Sequence, residues 1–238
     1  MRIYILVLIF LSGICNRSKA QSDTVIKHTR WYRSTAFKTI AVPTVLIGYG
    51  LSVSGNNGLF LSSAQLHSDV VKTFPGFYTG IDNYLAFSPA ALALGLKMGG
   101  VKTKHDYLNG FLLYAVSASL TMGITYGLKY TVKEERPDHS DNQSFPSAHT
   151  SFSFQGAEFL HQEYIDQSPL YSVAGYTLAA ATGGLRILND KHWLNDVCVG
   201  AGIGIITTRL VYLVYPAIQK KIQAGKRMGL ARRNCLLE

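Results

Sequence analysis

The chain has 238 residues, of which 47% are hydrophobic and only 16% are charged, and its formal net charge is +9. The length suits one compact domain, and the charged fraction lies well below the roughly 25% that is usual in soluble domains, which indicates contact with a membrane. The Lys and Arg residues stand at the ends of apolar stretches and in the C-terminal tail. The sequence therefore does not predict a nucleic-acid-binding face.

The first 20 residues contain the parts of a secretory signal. A basic start is followed by an apolar run from Ile3 to Leu11, and small residues lead up to Ala20. This order is typical of export signals, so residues 1–20 are expected to form a signal-peptide-like leader.

Six stretches after the leader predict helices within a membrane. Five are apolar, and several approach the ~20 residues needed to cross a bilayer; the sixth, 148–164, is more polar but has to return the chain between two spans. Gly and Ala are dense in 174–184 and 199–204, where they allow helices to approach closely. The expected fold class is all-α, a polytopic membrane bundle of about six helices. The stretches cover 36–54, 84–100, 107–128, 148–164, 169–188 and 194–215.

The same pattern divides the chain after the leader into three parts. Residues 21–83 hold the first membrane segment and a mixed region, 55–83, that suits an interfacial helix or a lid. Residues 84–216 form the main helix bundle, and residues 217–238 form a basic tail that is expected in the cytoplasm.

Positive charge predicts the orientation in the membrane. Six basic residues put the tail in the cytoplasm, and counting back places the loops 129–147 and 188–193 together on the outer side. Counting further places residue 21 inside, whereas a cleaved leader would leave it outside. Either the leader is retained, or 36–54 enters the membrane without crossing it. The basic residues are Lys220, Lys221, Lys226, Arg227, Arg232 and Arg233.

A first charged cluster follows the apolar stretch 107–128. Six residues separate Lys129 from Arg136 and Pro137, so an ammonium and a guanidinium share one loop after a helix end. Arg136 can hold phosphate oxygens through paired hydrogen bonds while Lys129 adds a point charge, which predicts an anion site. A positively charged helix-end anchor is the alternative interpretation.

The second cluster is Pro146-Ser147-Ala148-His149, at the start of a predicted helix. Ser147 is placed as the N-cap, and the free amide groups of a helix start form an anion site. A cap alone is the simpler interpretation of this serine. Because histidine ordinarily titrates near neutral pH, His149 in the first turn could protonate a leaving oxygen.

The third cluster lies in the turn between the last two long stretches. Five residues separate Arg186 from His192, and three more separate His192 from Asp196. The i, i+4 spacing lets the carboxylate hold one ring nitrogen and present the other as a nucleophile. A structural His–Asp pair that caps a helix is the alternative.

Together the three clusters resemble the signature of the type 2 phosphatidic acid phosphatase superfamily, which also contains bacterial acid phosphatases and vanadium haloperoxidases. The resemblance covers roughly 84–216. Two positions depart from it, since Ala148 replaces the usual glycine and Leu185 stands where serine is common. Neither change removes a charge, and alanine keeps the backbone N–H that could donate to phosphate.

The resemblance implies roles for seven residues. His192 would be the nucleophile that forms a phosphohistidine, Asp196 would fix its tautomer, and His149 would protonate the leaving group. The family needs no metal or other cofactor for this reaction. The phosphate would be bound by the remaining four residues, Lys129, Arg136, Ser147 and Arg186.

The resemblance further implies an integral membrane enzyme that hydrolyses a lipid phosphate or pyrophosphate, in a bacterial inner membrane with its active site facing the periplasm. Phosphatidic acid, phosphatidylglycerol phosphate, undecaprenyl pyrophosphate and lipid A phosphates are candidate substrates that the motifs do not separate. No nucleic acid and no obligatory protein partner is expected. A vanadium-dependent haloperoxidase-like enzyme and a non-catalytic protein that binds or transports anionic lipid are the alternatives.

Other titratable residues are expected to have structural roles. Glu158, nine residues after His149, should pair within the bundle, and Arg209, near the inner end of its helix, should extend towards the membrane surface. The remaining histidines lack the spacing of zinc ligands, so no metal site is predicted. They are His28, His67, His105, His139 and His161.

Overall fold

The computed structural model describes residues 35–54 and 61–235, and these form eight helices and no strand. The expected all-α class is confirmed. The leader and residues 55–60 of the expected interfacial region lie outside the described residues. The helices are α1 Thr35–Ser52, α2 Ser63–Thr73, α3 Ile81–Leu85, α4 Ser88–Met98, α5 Tyr107–Val132, α6 Ala148–Tyr164, α7 Pro169–Leu188 and α8 Leu194–Cys235.

The chain divides into two compact units, Met1–Lys38 and Thr39–Glu238, and the larger one carries α2 to α8. Within it, α6 is the central helix and packs against α4, α5, α7 and α8. Its buried side chains include Ser151, Ser153 and Gln155, and each of these makes a hydrogen bond to a neighbouring helix or to its own turn. This central position explains why the predicted stretch 148–164 is more polar than the others.

Glycines allow α8 to lie directly against α6, as the density of small residues predicts. A Cβ atom at Gly204 would lie 2.3 Å from the carbonyl oxygen of Ser151, and one at Gly200 would lie 2.8 Å from that of Ser147. Real side chains do not approach backbone this closely, so only glycine fits at these two contacts. The start of α6 is thereby held against α8 between Gly200 and Gly204.

The expected span 84–100 is wrong as a single helix. The chain forms the short helix α3, bends at Ala86 and Phe87, and starts again as α4, which has Pro89 in its first turn. Proline lacks an N–H and starts a helix more readily than it continues one. The 11 residues of α4 rise about 16 Å, well short of the roughly 30 Å of a hydrocarbon core.

Two described helices are long and apolar enough to cross a membrane, judged by length and composition. They are Tyr107–Val132 and Leu194–Gly225. The helix α8 continues with Pro216 inside it as far as Cys235, so most of the predicted tail is helical.

Glu158 is paired within the bundle, as predicted. Its carboxylate accepts a hydrogen bond from the hydroxyl of Tyr176 and lies 3.0 Å from the Nε atom of Arg209. The expectation that Arg209 extends to the membrane surface is wrong, because a fully buried carboxylate holds its guanidinium inside the bundle. An ion pair of this kind avoids leaving either charge uncompensated away from water.

Candidate active site

The three charged clusters of the sequence meet at one end of the bundle. They lie where α5 ends, where α6 begins, and in the turn that joins α7 to α8. Each predicted residue is therefore near a helix terminus, where backbone position is well fixed. Lys129 is in the last turn of α5, Arg136 in the following loop, Ser147 and His149 at the start of α6, Arg186 in the last turn of α7, His192 in the turn, and Asp196 in the first turn of α8.

His192 and Asp196 form a buried pair. The Nδ1 atom of His192 lies 3.2 Å from the Oδ2 atom of Asp196, and the two side chains are 2% and 0% exposed. The same Oδ2 atom accepts the hydroxyl of Ser144 at 2.5 Å and the backbone N–H of Trp193 at 2.9 Å. Several donors thus fix the carboxylate. When Nδ1 of His192 carries the ring proton and donates it to Asp196, the Nε2 atom of the neutral ring keeps its lone pair.

Cations surround the imidazole. The Nη1 atom of Arg136 lies 3.4 Å from the Nε2 atom of His192. The Nε atom of the same arginine donates a hydrogen bond to the carboxylate of Asp141 at 2.7 Å. Lys129 is buried and donates to the carbonyl oxygens of Gln143 and Ser144. Because carbonyl oxygens are neutral, the positive charge of Lys129 is left without a paired carboxylate in the described contacts.

Arg186 brings a third cation and an unused donor. Its Nη1 atom donates to the Oδ2 atom of Asp82 at 2.5 Å, and this ion pair is almost fully buried. Its Nε atom is buried and has no hydrogen-bond partner within 35–54 and 61–235. A buried N–H without an acceptor costs free energy, and an anion bound beside Arg186 would supply that acceptor.

The electrostatics of the site keep His192 neutral. Burial, together with the charges of Arg186, Lys129 and Arg136, holds the pKa of His192 well below its usual range. The imidazole is therefore unprotonated near neutral pH. A neutral ring with one nitrogen bonded to a carboxylate and the other facing a cationic cleft can act as a nucleophile towards a bound anion.

The second cluster forms the start of α6. Ser147 is the N-cap, as predicted, and its side-chain oxygen accepts from the backbone N–H of Thr150. The hydroxyl is fully buried and also accepts a hydrogen bond from the Thr150 hydroxyl at 2.9 Å. The Nε2 atom of His149 lies 2.9 Å from the Oδ1 atom of Asn83 on α3. The interfacial region 55–83 thus contributes to the site through its last residues.

Sequence reasoning missed several residues of the site. Ser144 lies close to the predicted Ser147 but carried no recognisable signal of its own. Asp82 lies in the segment Ile81–Leu85, where polar and apolar residues are mixed, so it carried no signal of its own either. The other two are Glu134 and Asn195, which are joined by a 3.1 Å hydrogen bond next to Asp196.

The described ranges contain no group of three or more His, Cys, Asp or Glu side chains that could hold a metal ion. The polar groups of the site are cationic side chains, an amide-rich helix start and two imidazoles. These are groups that bind anions.

At one end of the helical bundle, an imidazole–carboxylate pair lies among three cations, which are the groups that an anion-binding site with a nucleophile requires. Residues 110–220 match the family model of the PAP2 superfamily. All three clusters lie inside this match, which confirms the resemblance that their residues indicated. The match covers a little under half of the chain, and this segment is what is similar to the PAP2 superfamily.

The chain is also similar to one curated relative and to two solved structures. The chain is similar to the lipid A 1-phosphatase of Porphyromonas gingivalis, with 38% identity over 139 residues that cover 58% of this chain and 31% of the relative. The chain thus spans about a third of that protein's length.

The solved structures are more distant in sequence. The crystal structure of Aquifex aeolicus LpxE is 19% identical, with a TM-score of 0.47, and the match covers 61% of this chain and 93% of that one. The transmembrane PAP2-type phosphatidylglycerolphosphate phosphatase of Bacillus subtilis is 16% identical, with a TM-score of 0.48, covering 76% of this chain and 98% of that one.

Proposed function

We propose that this protein is an integral membrane phosphatase that hydrolyses a lipid phosphate or pyrophosphate through a phosphohistidine on His192. One observation carries the proposal. The His192 imidazole is held by Asp196 at 3.2 Å through Nδ1, while its Nε2 atom lies 3.4 Å from the Nη1 atom of Arg136. A phosphate bound to this guanidinium would have its phosphorus next to the free lone pair of the imidazole.

The reaction has two displacement steps. In the first, Nε2 of His192 forms a bond to phosphorus, the bond from phosphorus to the leaving oxygen breaks, and His149 gives that oxygen a proton. In the second, water attacks the phosphohistidine, its proton passes to His149, and the bond from phosphorus to Nε2 breaks. Free phosphate leaves, and His192 returns to its starting form. Asp196 keeps Nδ1 protonated throughout and stabilises the positive charge on the ring.

The phosphate oxygens are assigned to the cations and to the start of α6. Arg136 and Arg186 supply planar donors, Lys129 supplies a point charge, and Ser147 supplies a hydroxyl. The charge that develops on the oxygens during transfer is met by groups already in place, which is the main source of rate enhancement in phosphoryl transfer.

A membrane location is supported by the surface of α5. This helix is 26 residues long, yet only 22% of its apolar window is buried, and Leu108, Phe111 and Val116 are each more than half exposed. A helix of a soluble core would cover such side chains with protein, whereas lipid covers them in a bilayer. The basic residues of the tail favour a bacterial inner membrane with the site at the opposite, periplasmic face.

Among the four candidate lipids, a lipid A phosphate is the first choice. The similarity to the lipid A 1-phosphatase of Porphyromonas gingivalis includes 58% of this chain at 38% identity. A site at the membrane face suits any lipid whose acyl chains stay in the bilayer while the phosphate enters the cleft. The lipid A headgroup meets this requirement.

The proposal is tested by phosphate release from the purified protein in detergent, without added metal. The panel contains lipid A, phosphatidic acid, phosphatidylglycerol phosphate and undecaprenyl pyrophosphate. We expect release from lipid A, and we expect His192→Ala to abolish it while leaving the binding of inorganic phosphate in place, because the cations remain.

Two results would contradict the proposal. Lipid binding without turnover, unchanged by His192→Ala, would indicate a binding or transport protein. Oxidation of halide by peroxide in the presence of vanadate, with no phosphate release, would indicate the haloperoxidase-like reaction. Release from a lipid other than lipid A would keep the enzyme and change its substrate.

A further inference from the structure

The short helix α3 belongs to the interfacial region, yet it docks on the candidate active site. The side chain of Asn189, at the end of α7, accepts the backbone N–H of Thr79 at 2.9 Å and donates to its carbonyl oxygen at 2.8 Å. Two hydrogen bonds to one backbone unit fix the start of α3 against α7. The next turn then directs Asp82 to Arg186 and Asn83 to His149.

Asp82 and Arg186 form an ion pair inside the protein. The Asp82 side chain is 1% exposed and that of Arg186 is 9% exposed. Desolvating two charges is costly, and a buried pair is weak evidence for stability by itself. Such a pair is retained where the position of one of its partners matters, which here is the guanidinium.

The atoms involved leave one edge of the guanidinium open. The bond to Asp82 uses Nη1, while the Nε atom is buried and has no acceptor within the described part of the chain. In arginine, Nε–H and Nη2–H point to the same side and form a fork that fits two oxygens of a phosphate. Asp82 therefore occupies one side of the group and leaves the Nε–Nη2 side without a described hydrogen bond.

The second arginine of the site is held in a comparable way. Arg136 bonds the carboxylate of Asp141 through Nε at 2.7 Å and the carbonyl oxygen of Lys191 through Nη1 at 3.1 Å. The Asp141 side chain is 47% exposed, so water screens its attraction to Arg136. Asp82 is shielded from water, so its attraction to Arg186 is screened much less. Of the two carboxylates, Asp82 is the one whose loss should be felt in the cleft.

We propose that Asp82 is a positioning residue that holds the Nε–Nη2 edge of Arg186 towards the substrate phosphate. The proposal rests on the proposed function, because it takes the ligand of that edge to be the phosphate of the substrate. Without Asp82, repulsion from Lys129 and Arg136 would move the guanidinium of Arg186 away from the position in which its Nε–Nη2 edge faces the phosphate. The opposite possibility is that the carboxylate competes with phosphate for Arg186, in which case its removal would tighten binding.

The two possibilities are separated by calorimetric titration with inorganic phosphate and by kcat/KM on the lipid that the wild-type protein hydrolyses. We expect Asp82→Ala to raise the Kd for phosphate about tenfold and to lower kcat/KM roughly 10- to 100-fold, since small displacements of a phosphate ligand have effects of this size. Asp82→Asn keeps an oxygen that can accept from Nη1, so it should restore phosphate binding to within about threefold of the wild type. Asp69→Asn, an exposed change on α2, is the matched control and should alter neither quantity.

Three outcomes would overturn the proposal. Tighter phosphate binding in Asp82→Ala would make the carboxylate a competitor. A lower melting temperature with unchanged Kd and kcat/KM would make the ion pair purely structural. If Asp82→Ala does not fold, the Kd of Asp82→Asn for phosphate becomes the test. Phosphate binding about tenfold tighter than that of the wild type would contradict a positioning role.

Failure of the proposed function would look different. A wild-type protein that binds phosphate but hydrolyses no lipid would remove the enzymatic role and leave the Kd comparison of the Asp82 variants intact. A wild-type protein that does neither would remove both.

Discussion

Asp196 receives hydrogen bonds from the side chain of Ser144 and the backbone of Trp193 in addition to its contact with His192. The proposed nucleophile is thus oriented by a carboxylate that is itself fixed. A hydrogen bond to a charged buried group contributes about 1.5–3 kcal/mol. Loss of the Ser144 hydroxyl should therefore disturb the geometry at His192 without removing any charge.

We expect Ser144→Ala to lower kcat for lipid phosphate hydrolysis roughly tenfold, because the carboxylate loses one of its donors and holds the imidazole less firmly. Steady-state kinetics on the preferred lipid measure the effect. Ser140→Ala removes an exposed hydroxyl from the same loop, where it bonds the neighbouring Asp138, and should leave kcat unchanged. Equal kcat values for the two variants would show that Ser144 does not orient the pair.

Glu134 gives the site a second titratable carboxyl group. It accepts from the side chain of Asn195 at 3.1 Å, and Asn195 also lies 3.3 Å from the Oδ1 atom of Asp196. Burial raises the pKa of Glu134 to about 7, and repulsion from Asp196 adds to the rise. In the unfolded chain a glutamate has a pKa of about 4.3.

The sign of the resulting pH dependence follows from proton uptake. Between about pH 4.3 and pH 7 the folded protein holds a proton on Glu134 that the unfolded chain has released, so stability falls as pH rises through this window. We expect the melting temperature in detergent to fall less between about pH 5 and pH 7.5 in Glu134→Gln than in the wild type. The exposed Asp69→Asn is the control, and identical pH profiles for all three proteins would argue against a buried, protonated Glu134.

The charged residues of the site could be predicted from sequence because each needs a particular chemistry at a particular spacing. The pair His192–Asp196 is local, one helical turn apart, so its contact follows from the helix. Asp82 and Arg186 are 104 residues apart, and only the docking of α3 on α7 brings them together. Contacts of that kind depend on the tertiary path of the chain, which no local pattern encodes.

The helices, like the residues of the site, divide into features that a local sequence pattern predicts and features that it does not. Length and apolar content predict α5 and α7 well, and the N-cap of α6 is visible in Ser147. The error at 84–100 arose because an apolar stretch does not reveal that Pro89 begins a new helix. Small residues predict where α8 meets α6, since only glycine permits the contact at Gly204.

That contact provides a test at the level of helix packing. A methyl group at position 204 would collide with the backbone of Ser151 and Gln155, so Gly204→Ala should force α8 away from α6 and destabilise the fold by about 1–3 kcal/mol or more. Gly184→Ala, on α7, places a methyl group in open space and should be neutral or stabilising by up to about 1 kcal/mol. Thermal unfolding in detergent compares the two. Equal stability of the two variants would contradict the close packing of α6 and α8.

The molecule as a whole combines an apolar exterior with a polar interior. Large apolar side chains are exposed along α5, while the central helix α6 buries Ser, Thr, Gln and Glu residues. This distribution suits a bundle that is surrounded by lipid and satisfies its polar groups internally. The proposed site lies at one end of that bundle, where a lipid headgroup can reach it while its acyl chains stay in the membrane.

The most direct test of a phosphohistidine enzyme is to trap the intermediate. The intact protein in detergent is mixed with lipid A carrying a radioactive phosphate, quenched in alkali and mapped by peptide analysis. We predict alkali-stable, acid-labile label on the peptide that contains His192 and none in His192→Ala. Rapid turnover with no label on His192, and with activity kept in His192→Ala, would contradict the mechanism.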